Sequence, residues 1–250
     1  VNRKFGWVKD APDKRDKLYS GSVKLAKKLP KAVDLRAEFP PVYEQGNLNA
    51  CTANAIAAAM EFDEIHQKKG RFIPSRLFIY YNERAMEGTI DKDAGGQIRD
   101  GIKSVASQGS PPEDLWGYEE KMLKVKPESH CYSQGKRYKT VSYLRMMHNL
   151  DELKSCLASG FPFVFGIKVY ASFVGQQIAN TGVVQMPKKG EKVAGLHAVI
   201  AVGYDDSTKR FIVRNSYGKD WGMNGYFTIP YAYLLDPKLA HDFWTLRLIR

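Results

Sequence analysis

The stretch YEQGNLNACTANAIAAAMEF, Tyr43–Phe62, sets a glutamine and a short polar turn directly before an alanine-rich segment that carries one cysteine. Alanine is the strongest helix former, and Ile56, Ala59, Met60 and Ile65 recur at helical spacing, so a long helix is expected from Asn49 to Gly70. Asn49 is the expected N-cap and Gly70 the expected stop. Cys51 then falls in the first turn, where unpaired N–H groups and the helix dipole favour negative charge and lower a thiol pKa. Taken alone, Cys51 reads better as a small core residue, because free cysteine is among the most buried residue types.

Working outward, Ser75–Glu87 followed by Gly88, and Gln97–Gln108 followed by Gly109, read as two further helices, and Asn149–Ser159 as a shorter one. The texture then changes. FPFVFGIKV, HAVIAVGYD, RFIVRNS, GYFTI and FWTLRLI are strand-like runs separated by turn signals such as Asp206-Ser207 and Asn224-Gly225. Helices first and antiparallel strands later define an α+β protein with a cleft between two parts. His197 opens one of these strands and Asn215 lies in the next, so a hairpin brings them to one end of the sheet. Gln45, six residues before Cys51, is placed to turn an amide N–H back toward it. A thiol nucleophile needs a base, a group that orients the base, and donors for an oxyanion. His197, Asn215 and Gln45 supply one of each, and together they outweigh the core reading of Cys51.

Composition sets the remaining bounds. With 250 residues, 44% of them hydrophobic, the chain can bury a sizeable core. No apolar run is long enough for a membrane span, and a start at Val-Asn-Arg shows no leader. Cys51, Cys131 and Cys156 are odd in number and widely spaced, which fits neither a disulfide framework nor a metal site. Cys156, beside Leu153 and Leu157, reads as a packing residue, and Cys131 has no companions. The net charge of +11 is concentrated at the start: residues 1–31 hold ten Lys or Arg and three Asp. A basic arm suits an acidic partner, but no nucleic-acid-binding signature accompanies it, so nucleic acid is not expected.

Three blocks together resemble the papain-like cysteine proteases: QGNLNAC (Gln45–Cys51), GLHAVIAVGY (Gly195–Tyr204) and RNSYGKDWGMNGY (Arg214–Tyr226), in family order. AGGQIRDGIKSVASQG (Ala94–Gly109) is similar to the family's Gly-Gly segment, and LPKAVDLR (Leu29–Arg36) to the start of its mature enzymes. The resemblance implies a two-lobed papain-like α+β fold over residues 29–250, with a helical lobe mainly at 45–110 and a β lobe mainly at 140–250. It implies a cysteine endopeptidase: Cys51 the nucleophile, His197 the acid and base, Asn215 its orienter, and Gln45 with the Cys51 N–H the oxyanion hole. Gly95 and Gly96 would line the substrate cleft, and Trp221 would shield the Asn215–His197 hydrogen bond. No cofactor or metal is implied, and the partner would be a peptide or protein substrate.

Some positions depart from the family pattern. Asn49-Ala50 stand where Gly-Ser is usual, Thr52 where an aromatic is common, and Tyr217 where Trp is usual. Leu48 and Asp93 stand where many relatives pair two cysteines, which suggests a disulfide-poor bacterial or viral branch. A catalytically silent binding protein and a thiol acyltransferase are the alternatives, although the triad is whole and Asn215 is not the Asp most acyltransferases use. Residues 1–28 form a basic arm or short pro-segment, too short for the usual helical pro-domain. Its apolar clusters, Phe5–Val8 and Leu18-Tyr19, fit an arm packed on the body for stability. They fit equally a zymogen-like segment that crosses the cleft with Trp7 as anchor. The compartment stays open between a secreted or processed protein and an intracellular one.

Overall fold

In the computed structural model, residues 4–23, 28–68, 70, 72–139 and 142–247 are described. The alanine-rich stretch is a helix, Cys51–His66, and it is buried nearly all round rather than along one stripe. Small alanines let neighbouring elements approach this helix on every side, so its ring of buried residues includes Glu61, Asp63 and Glu64.

In chain order the elements are β1 (Trp7–Val8), a single turn α1 (Tyr19–Ser22), β2 (Ala32–Asp34), α2 (Cys51–His66) and α3 (Arg76–Glu87). There follow β3 (Gly96–Gln97), α4 (Ile98–Gln108), α5 (Ser129–Gly135), β4 (Ser142–Met146), α6 (Leu150–Ala158) and β5 (Phe163–Tyr170). The last are α7 (Gln176–Thr181), β6 (Val193–Asp205), β7 (Arg210–Arg214), β8 (Tyr226–Pro230), α8 (Tyr231–Leu235) and β9 (Ala240–Arg247). Helices α3 and α4 pack on α2, and α2 rests against β5, β6 and β9. An antiparallel sheet runs in the order β4-β9-β5-β6-β7-β8, with β2 added beside β6. Its core is dominated by Phe163, Phe165, Phe211, Phe227 and Trp244, all fully buried.

The expected helices and strands are present with shifted ends. Ser75 caps α3 by accepting the Phe78 N–H, and Gly88 closes it at φ 68°. Asn149 caps α6 through the Glu152 N–H. Two boundaries of α2 differ from expectation. The cap is Ala50, with no side-chain hydrogen bond, because the Asn49 amide is drawn instead to the Asp93 carbonyl. The C-terminus falls at His66, before Gly70, where Lys68 turns left-handed at φ 55°. Strand β6 begins four residues before His197, since pairing with β5 continues out to Val193. Of the last expected strand, Leu248 and Ile249 lie outside the described residues.

Candidate active site

Cys51 is the first residue of α2 and is fully buried. Its sulfur accepts two backbone N–H groups, from Ala198 at 3.3 Å and from Gly6 at 3.4 Å. Ala198 follows His197 on β6, so the helix start and the strand meet at the sulfur. Burial pushes the Cys51 thiol up to about 11; the two N–H donors pull the other way, and the buried Glu83 adds to the rise. The low thiol pKa expected from the helix start is therefore not present in this covered state. Loss of water around the sulfur outweighs the helix terminus.

His197 and Asn215 meet as the hairpin reading requires, with His197 Nε2 and Asn215 Oδ1 2.8 Å apart. The same Oδ1 accepts the Ser216 N–H at 2.8 Å, which identifies that end of the amide as oxygen. Nε2 must then carry the proton, and Nδ1 is the atom able to take another. Tyr217 stacks on the imidazole at 4.9 Å and 20°, and Trp221 meets the Tyr217 ring edge-on at 5.6 Å. Phe173 touches both His197 and Trp221. Tyr217 is thus the ring laid on the histidine, with Trp221 one layer behind it. Trp221 also borders a cavity of about 630 Å³ with Glu44, Val174, Gln176 and Asn180.

Gln45 is buried, and its amide is fixed at both ends. Ser216 Oγ donates to Gln45 Oε1 at 2.6 Å, while Gln45 Nε2 donates to Leu48 O at 2.9 Å and Lys4 O at 3.3 Å. Ser216 therefore touches both Asn215 and Gln45, a role the sequence alone did not single out. The adjacent Asn-Ser of the motif was the available signal.

The opposite rim of the cleft is Gly95-Gly96. The Asp93 carboxylate accepts the Asn49 N–H at 3.0 and 3.1 Å and the Tyr80 hydroxyl at 2.6 Å, and that hydroxyl accepts the Gly95 N–H. One carboxylate thus ties the turn before Cys51 to the glycine rim, at a place where a disulfide was expected to be missing. Cys51, Cys131 and Cys156 are all free thiols. Beneath Gly96 lies Glu83, whose carboxyl pKa is raised well above the usual carboxylate range by complete burial. Any side chain on Gly96 would collide with it.

The arm runs through this cleft. Gly6 O accepts the Gly96 N–H at 2.8 Å, and β1 pairs in parallel with β3. A Cβ on Gly6 would lie 1.7 Å from Asn49 O, and one on Gly95 2.0 Å from Gly6 O, so bare backbone is required on both. Phe5 sets its ring edge-on to His197 at 5.7 Å. Trp7 is buried against Gly166, where an added Cβ would fall 2.1 Å from the indole. Among the described residues no group of His, Cys, Asp or Glu could hold a metal ion, and no helix is long and apolar enough to cross a membrane.

Cys51 at the start of α2 thus lies beside His197 on β6, whose partner Asn215 sits one residue past the end of β7. The sequence pattern of the papain family of cysteine proteases matches residues 29–234, and the chain belongs to that family. It is 43% identical to an uncharacterized peptidase C1-like protein of Acanthamoeba polyphaga mimivirus, over 99% of this chain and 88% of the viral one. It is 36% identical to a cathepsin B-like protein of Giardia intestinalis, over 80% of this chain and 68% of that protein. Among solved structures, xylellain, a cysteine protease from Xylella fastidiosa, superposes with a TM-score of 0.93 at 41% identity, covering 100% of this chain and 97% of that one. The papain-like α+β architecture expected from the motifs is the observed one.

Proposed function

We propose that the chain is a cysteine endopeptidase that cleaves peptide bonds through a Cys51 acyl-enzyme and that its own arm holds it latent. The observation carrying this reading is the convergence of Gln45 Nε2, the Cys51 sulfur and the His197–Asn215 pair around one short piece of backbone, Lys4–Gly6. With the arm displaced, water returns to the sulfur and the burial that raises its pKa is relieved. The Cys51 proton passes to His197, and Asn215 holds the resulting imidazolium in orientation. The thiolate adds to the carbonyl carbon, and the oxyanion is met by Gln45 Nε2–H and the Cys51 backbone N–H. His197 returns the proton to the departing amine. Water, activated by the same imidazole, then releases the acid and frees the thiol.

The same geometry accounts for an arm that fills the cleft without being cut. The leaving amine of a substrate must lie beside His197, so the substrate's N-terminal side follows the Gly96 rim. The arm runs the other way, with Phe5 at His197 and Trp7 beyond Gly6, paired in parallel with β3. What it sets on the sulfur is an N–H group, not a carbonyl carbon. The peptidase reading is tested with an epoxysuccinyl reagent and a fluorogenic peptide on the full chain and on Gly6→Ala. A mass shift at Cys51, absent in Cys51→Ala, together with peptide turnover supports it. Folded Gly6→Ala protein that takes the label but hydrolyses no peptide points to a binding protein instead.

A further inference from the structure

The arm and the body are joined beyond Trp7 by an exchange of carboxyls and indoles. Asp10, on the arm, accepts the indole N–H of Trp244 of the body at 2.8 Å. Asp242, on the body, accepts the indole N–H of the arm's Trp7 at 3.2 Å. Asp242 Oδ2 also accepts the Asp10 backbone N–H at 2.8 Å, and Asp10 Oδ1 accepts the Arg99 backbone N–H at 3.2 Å. Both carboxyls are buried, at 4% and 2% exposure. Two buried acids on residues joined by the Asp10 N–H to Asp242 Oδ2 bond cannot both ionise cheaply out of water, and the four N–H donors are too few to offset two charges.

The charged groups around the pair do not remove the conflict. Arg145 reaches Asp242 Oδ1 only at 3.4 Å, and its other nitrogen is taken by Asp16 at 2.7 Å. The Arg99 guanidinium is bound to Asp16 and to the Ala11 carbonyl. Lys9 Nζ turns to His241 Nε2 at 2.9 Å, and His241 packs against His148.

Resting on the reading of the arm as an intramolecular inhibitor, we infer that the Asp10–Asp242 contact is a proton-held latch, closing the arm over the cleft in acid and loosening it toward neutral pH. Burial and the neighbouring Asp242 raise Asp10 to about 7, and burial raises Asp242 as well. Once released into water, Asp10 returns to about 3.9. A docked pKa above the released one means the docked state holds the extra proton. Docking is strongest below about pH 4, weakens by up to tenfold per pH unit between about 4 and 7, and levels off above. His241 works in the opposite sense, because burial and Lys9 lower its pKa, so its protonation in acid disfavours docking. It is half-exposed and holds the outer face of the arm, and it opposes the fully buried pair only in part. Tyr19 is fully buried, and Asp16 bridges Arg99 and Arg145, so the segment that swings is 4–11 while Asp16 to Tyr19 stay seated.

The test is the rate at which iodoacetamide alkylates Cys51 in the full chain between pH 4.5 and 7.5, as a ratio to the Asp10→Asn variant. The ratio cancels the common rise in thiolate with pH. Asn keeps the shape and the neutrality of the protonated acid, so the wild-type to variant ratio should climb at least about tenfold across the range. Asp242→Asn, changed from the body side, should give the same climb. A ratio flat within about twofold for both variants overturns the latch. Alkylation needs no turnover, so a flat ratio on a chain that cleaves peptides sinks the latch alone, and a climbing ratio on a chain that cleaves none sinks the peptidase alone.

Discussion

The sheet under the cleft buries Phe163, Phe165, Phe211, Phe227 and Trp244 completely, whereas residues 4–23 of the arm bury only Gly6, Trp7, Asp10 and Tyr19. The body is held by apolar packing of fully buried rings. The arm is held by a few polar contacts, two large rings and one backbone fit with no tolerance for a side chain. A body built that way changes little with pH or single polar substitutions, and on the proposed reading an arm built that way is released by the loss of one proton or the addition of one methyl group. Catalytic parts and controlling parts of the chain are therefore separable by experiment.

Three substitutions would sharpen or break that separation, the first two on opposite sides of it. Gln45→Ala in an arm-opened Gly6→Ala background should cut kcat by about 10- to 1000-fold, read by steady-state peptide hydrolysis. A loss confined to KM would assign Gln45 to ground-state binding and leave the oxyanion to other donors. Gly6→Ala alone should raise the Cys51 alkylation rate by about 10- to 100-fold, because overpacking against Asn49 O costs roughly 1–3 kcal/mol in the closed arm only. An unchanged rate with an unchanged melting temperature would mean that the arm adapts and that the backbone fit is not what closes it. Ser216→Ala should cost least, about 2- to 10-fold in kcat, through loss of one hydrogen bond to Gln45 Oε1. Restoration of that loss by Ser216→Thr would separate an orienting hydroxyl from mere packing.

Much of the cleft was legible because its residues sit in local patterns: a glutamine ahead of a helix start, a histidine in an apolar strand, and an asparagine that was expected in the strand that follows and stands one residue past its end. Contacts between distant segments were not. Asn49 has every local mark of a cap, yet Asp93, 44 residues away, takes its side chain and leaves Ala50 at the helix end. The dipole argument for Cys51 takes no account of the covering arm, under which burial raises the thiol pKa, and no pattern within α2 reveals that arm. Glu83 looks like a surface residue of an amphipathic helix, and only the glycines at 96 and 101 leave room for it inside. Gly166 carried a readable signal, since glycine within a strand often marks close approach by another group, but nothing local said that the group is Trp7.

The buried Tyr19 has a consequence for dose. On the proposed reading of the arm as an inhibitor, Tyr19 seats the arm beside the cleft, so segment 4–11 acts as a tethered ligand whose local concentration is on the order of millimolar for a link this short. Dilution leaves such an inhibitor as effective as before, and a second protein molecule's arm cannot compete with the one already attached. The same segment supplied as a free peptide would have to approach that concentration to matter, so each molecule sets its own degree of closure, independent of how many others surround it.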